Sequence, residues 1–179
     1  MNGRKEIFVH FAKYNEEADR AVVSILDKMS QEDREKNRKS FYGSLSGLAR
    51  HALGGTFFFL GMFRESVAHN GAALKALGPL AGVELFHDKK ISEAQWKKVA
   101  GDFKTVDKAY VGFVSALSEE DLDAPVKISW YKGKSQVPLY FMLQQLTAHG
   151  IHHRGQISQV LDSLKIDNDY SGLNVKLLG

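Results

Sequence analysis

Residues 138–164 read PLYFMLQQLTAHGIHHRGQISQVLDSL. Met142, Leu146, His149, His153, Ile157, Val160 and Leu164 recur at alternating steps of three and four, the spacing that lines one face of an α-helix. Pro138 suits the first turn of that helix, where a missing N–H costs nothing. The stripe is apolar except for two histidines in core positions. A long amphipathic helix has to hide its stripe against partners, so the question becomes how many others the chain supplies.

Three more follow from the same periodicity. Ile7, Phe11, Tyr14, Ala18, Ala21, Ile25 and Met29 predict a first helix over 7–29. Phe41, Leu45, Leu48, Ala52, Gly55, Phe59 and Met62 predict a second over about 41–69, whose glycines lower helix propensity and let another backbone approach closely. Trp96, Val99, Phe103, Val106, Tyr110, Phe113 and Leu117 predict a third, opened by a Ser92/Gln95 capping box. Residues 126–131 and 135–137, separated by Lys132-Gly133-Lys134, read as a small β-hairpin before the fourth helix. The apolar segment 71–90 is too rich in leucine for a free linker, and a short helix or packed loop is expected there. The fold class is therefore all-α: a four-helix bundle whose long 71–90 crossover allows neighbouring helices to run parallel.

Composition narrows the classes of function. The 179 residues are 44% hydrophobic and 25% charged, with 24 basic and 21 acidic side chains, which implies one globular domain over 1–179. The strongest apolar run, Leu53 to Phe63, is too short to span a bilayer, and the charged start lacks the apolar core of a secretory signal. A cytoplasmic protein with no membrane partner is expected. The dense charges of 31–39 mix both signs and carry no DNA or RNA motif, so no nucleic-acid partner is expected. There is no cysteine, which excludes disulfides, thiolate metal ligands and a cysteine nucleophile.

His149 and His153, one helical turn apart, can share a metal ion, and His51 on the second predicted helix is the best third donor. Taken alone, the same residues read more readily as core or surface histidines hydrogen-bonded to backbone or carboxylate. His10, His69 and His87 lack a comparable setting.

The run His149-Gly150-Ile151-His152-His153-Arg154-Gly155-Gln156 closely resembles the His-x-x-His-His-Arg-Gly-Gln signature of the DinB-like superfamily, the DinB/YfiT-like metalloenzymes. The single histidine of the second helix followed by Phe57, Phe58 and Phe59, the hairpin, and Asp169-Tyr170 after the last helix extend the likeness over nearly the whole chain. The resemblance implies an up-down-down-up bundle, often a homodimer, holding one divalent transition metal, nickel or zinc, on His51, His149 and His153. His152 then falls in the surroundings of the site. The family frequently has Asn where this chain has Ala148. Relatives that act as transferases with low-molecular-weight thiols make a small-molecule substrate and thiol S-transfer the first expectation. Metal-dependent hydrolysis and a non-catalytic metal-binding role in stress response or interaction are the alternatives. No catalytic residue is assigned. Arg154 is expected to pair with an acid of the first or third helix, Gln156 to support a ligand histidine, Trp130 and Tyr131 to wall a pocket or pack over the bundle end, and one ring of 57–59 to leave the core.

Overall fold

The computed structural model describes residues 3–130, 132–170 and 172–173. Its long helices are α1 (Arg4–Asp27), α3 (Leu45–Ser66), α5 (Glu93–Ala116) and α6 (Leu139–Ser163), with two short ones, α2 (Gln31–Glu35) and α4 (Gly71–Ala76), between them. Strands β1 (Pro125–Lys127) and β2 (Gln136–Pro138) form an antiparallel pair in which Val126 faces Val137. The chain is thus a four-helix bundle with a small hairpin before its last long helix.

Helix directions follow from the contacts each makes. Arg4 on α1 reaches Glu119 and Asp123, beyond the end of α5, while Asp27 accepts from the Trp96 indole near the start of α5, so α1 and α5 are antiparallel. Asn15 lies against Gly150 and Asp19 bonds Arg154, so α1 and α6 run parallel. His51 and Gly55 meet α6 in reverse order, at His153 and His149, so α3 and α6 are antiparallel. This is the up-down-down-up arrangement, and the 71–90 crossover makes it possible: α4, a 3-10 turn over Gly78–Gly82, then an irregular stretch of 83–90 that bends over 88–90.

The third stripe is buried as expected, while in the fourth Met142, Leu146, His153 and Ile157 are buried and His149, Val160 and Leu164 are half-buried; the Ser92/Gln95 capping box is present in both directions. Two differences are informative. On α1 the buried residues are Phe8, Ala12, Tyr14, Asn15, Ala18, Asp19, Val22 and Leu26, so Tyr14 and Ala18 of the apolar pattern are buried but Ile7 is exposed, and the buried face is displaced by about one residue toward Asn15 and Asp19. The pattern misleads because the buried face carries two polar side chains, both held by Arg154. Phe41 does not begin the second helix. Gly43 at φ +77° turns the chain, and the Ser44 hydroxyl caps α3 by accepting from the Gly47 N–H, so helix starts at Leu45 and Phe41 is left 92% exposed. The first hairpin strand is shorter than 126–131 and the second is 135–137 shifted by one residue, although the Ile128 N–H still bonds the Ser135 carbonyl. Tyr131 lies outside the described residues.

Among the described residues, no helix is long and apolar enough to cross a membrane.

Candidate metal centre

One metal-ligating atom from each of His51, His149 and His153 lies within 4.8 Å of the others, an arrangement that could hold a metal ion. Antiparallel pairing of α3 with α6 puts His51 opposite the two histidines of α6, whose rings project from one face a turn apart. Gly55, one turn after His51, makes the approach possible: a Cβ there would overlap the His149 ring, standing 2.7 Å from Nδ1 and 2.8 Å from Nε2. The close approach expected at the glycines of this helix is that of another backbone; at Gly55 it is made by a histidine side chain instead.

His51 Nε2 and His149 Nε2 are 3.3 Å apart. Two nitrogens each about 2.0–2.1 Å from one tetrahedral ion stand roughly 3.3–3.4 Å apart, so the spacing suits a shared ion. His153 Nδ1 donates to Gln156 Oε1 at 2.8 Å, which leaves its Nε2 lone pair for coordination. His149 Nδ1 is buried without a hydrogen-bond partner among the described residues, so Nε2 is the atom through which this ring meets its neighbours. Three imidazoles with this orientation fit a late first-row divalent ion.

All three rings are held neutral. Burial first, then the neighbouring His153 and His51, push His149 down to about 4. Burial and His153 lower His51, and burial lowers His153 against an opposing hydrogen bond from Gln156. Metal and proton compete for the same lone pairs, so depressed values favour the metal at neutral pH. They also fix a sign for the metal-free protein. Between about pH 6.5 and 4 the unfolded chain takes up protons that folded His149 refuses, so stability falls on acidification through that window. Urea midpoints of metal-free protein should drop from pH 7 to pH 5, and the drop should shrink in His149→Gln.

The cluster lies on a cavity of about 840 Å³, lined by His51 and His149. Phe58, Phe59, Leu85 and Phe86 form apolar wall, the last two from the irregular 83–90 stretch. Arg50 anchors that stretch by donating to the Phe86 and Asp88 carbonyls at 2.9 and 2.8 Å. His87, Lys89 and Lys90 line the same cavity, a role for His87 that its sequence setting did not indicate.

The residues around the motif fall into place. Arg154 is 3% exposed and donates to Asp19 Oδ1 at 2.8 Å and Asn15 Oδ1 at 2.7 Å, the expected pairing with an acid of the first helix. Gln156 supports His153, as anticipated. His152 is exposed, and so is Ala148. Of the three phenylalanines Phe58 is the one that leaves the core, at 53% exposure, with the Trp130 ring 6.1 Å away. Tyr170 crosses α6, bonding the Ser158 hydroxyl. His69 pairs with Asp121 and His10 stands near Glu6, both away from the cluster.

Tyr42 escaped the sequence reading. Its ring stacks on His51 with centroids 3.9 Å apart, and its hydroxyl lies 2.8 Å from His51 Nε2. It belongs to no helical stripe, and the only signal was an aromatic residue just before the Gly43-Ser44 cap.

An up-down-down-up helical bundle with three histidines gathered beside a cavity defines a class of bundle whose site could hold a metal ion. The sequence profile described as the DinB family matches residues 1–164, and the chain belongs to that family. No curated protein matches the chain.

Proposed function

We propose that His51, His149 and His153 hold one divalent transition ion, nickel or zinc, and that the protein is a metal-dependent enzyme transferring a low-molecular-weight thiol to an electrophile. The observation that carries this reading is the convergence of three neutral imidazoles on an otherwise largely apolar cavity. A bound ion would supply a position where a thiol is held as thiolate near neutral pH. The chain has no cysteine, so the sulfur nucleophile has to arrive with a substrate.

The side chains divide the remaining work. Gln156 fixes the tautomer and orientation of His153, and Gly55 lets His149 reach its place. Phe58, Phe59, Leu85 and Phe86 seat an apolar electrophile and keep water from it. Lys89 and Lys90 give an anionic group on either substrate a partner along the same cavity.

Protein purified without a metal-binding tag should carry about one equivalent of metal by elemental mass spectrometry. His51→Ala, His149→Ala and His153→Ala should each lose it, while His152→Ala keeps it. Metal-loaded protein should then couple bacillithiol or glutathione to a model electrophile. A rate no higher than that of His149→Ala would refute the enzyme reading. If stripping the ion instead lowers the melting temperature sharply with no activity found, the site is a structural one. Hydrolysis without added thiol would replace S-transfer by the hydrolase reading.

A further inference from the structure

Tyr42 is placed by backbone, not by a helix. The Gly43 N–H bonds the Ser40 carbonyl at 2.9 Å, the Arg38 N–H bonds the Gly43 carbonyl at 2.6 Å, and Gly43 takes the left-handed φ of +77° that this turn requires. The Tyr42 carbonyl rests on Gly47, where any Cβ would collide with it. A turn fixed at both ends thus lays the phenol flat on His51, at 18° between planes, with His153 meeting it edge-on at 5.6 Å. The ring lines the cavity beside His51 and His149.

The hydroxyl is hydrogen-bonded to His51 Nε2, the atom that faces His149 Nε2. An ion ligated through that nitrogen takes the lone pair on which the hydroxyl depends. The O–H, still fixed by the stacked ring, then needs another acceptor beside the ion. The donor atom of whatever would fill the coordination position left by three histidines offers one.

We propose that Tyr42 is a positioning residue whose hydroxyl donates a hydrogen bond to the anionic ligand, a substrate thiolate, bound at that open position. The inference rests on the three-histidine metal reading above. On binding, the thiol sulfur gains its bond to the ion and gives its proton to solvent, and no oxidant or reductant enters. The ring of Tyr42 keeps His51 in place, whereas the hydroxyl acts on the incoming ligand, so the two roles separate in Tyr42→Phe.

Cobalt(II) loaded into the full chain provides a readout independent of turnover, because its visible bands and sulfur-to-metal charge-transfer band report the ligand set. With 2-mercaptoethanol as the probe, Tyr42→Phe should retain one cobalt per chain and a near wild-type spectrum without thiol. Its thiol affinity should fall about tenfold, the loss of one hydrogen bond to a charged acceptor. Unchanged thiol affinity at full cobalt loading would overturn the assignment while leaving the metal reading intact. Failure of Tyr42→Phe to take up cobalt while remaining folded by circular dichroism would also overturn it, since the hydroxyl would then serve the ion and not its ligand. A wild type that takes up no cobalt, zinc or nickel overturns both readings.

Discussion

Replacing Arg154 by Met should destabilise the protein by about 3–5 kcal/mol, the usual consequence of removing one partner of a buried charge pair. Arg154 sits where α1, α5 and α6 meet. It bonds Asp19 and Asn15, and Asn15 in turn donates to Asp19 Oδ2 and Asp107 Oδ1, both at 2.9 Å. Two buried carboxylates therefore share one guanidinium. Burial already raises Asp19, and burial together with Asp19 raises Asp107 well above the ordinary carboxylate range. Without the guanidinium both acids would be pushed higher still. The folded state would then hold protons that the unfolded chain releases near pH 4, so the stability of Arg154→Met should fall as pH rises from about 5 to 8. Urea unfolding across that range measures the effect. Asp19→Asn combined with Arg154→Met should recover part of the loss, because one of the two carboxylates left without the guanidinium is removed with it and no longer repels Asp107. A single variant within 1 kcal/mol of wild type at pH 8 would show that the network contributes little.

That network also explains why parts of the molecule were legible in the sequence and others were not. Helix periodicity is local, so the stripes of α5 and α6 and the i, i+4 placement of His149 and His153 could be read directly. The buried face of α1 could not, because Asn15 and Asp19 look solvent-facing until the parallel pairing with α6 brings Arg154 against them. The Gly150 of the histidine motif has the same origin: a Cβ there would stand 2.8 Å from Asn15 Oδ1 and 3.1 Å from an Arg154 guanidinium nitrogen. In His149-Gly150-Ile151-His152-His153-Arg154-Gly155-Gln156, three residues face the metal centre directly or through a ligand ring, and two build the polar support behind it. Tyr42 and Phe41 depended on the φ of one glycine, which moved the start of α3 and turned one aromatic onto His51 and its neighbour into solvent. Side chains set by loops have no period to reveal them.

The second large effect is expected at a residue with no side chain. Gly55→Ala adds one methyl group to the middle of a helix, a change that ordinarily raises helix propensity by roughly 1 kcal/mol. Here the new Cβ would occupy space held by the His149 imidazole, at 2.7 Å from Nδ1 and 2.8 Å from Nε2, where the ring cannot remain. The backbone of α3 is fixed by Ala52, Leu53 and Phe59 in the core, so His149 yields and swings away from His51. Only two donors would then converge, and two imidazoles hold a divalent ion far more weakly than three. Metal content should fall from about one equivalent to below a tenth, with helical circular dichroism unchanged and the metal-free melting temperature equal or higher. Gly54→Ala supplies the control, since its Cβ would meet only a Leu85 methyl at an ordinary 3.9 Å. If Gly55→Ala retained a full equivalent of metal, His149 would not be needed to hold the ion. If both variants lost it, the cause would be general disturbance of α3. Loss confined to Gly55→Ala would tie metal binding to the position of one ring, as the geometry of the three histidines requires.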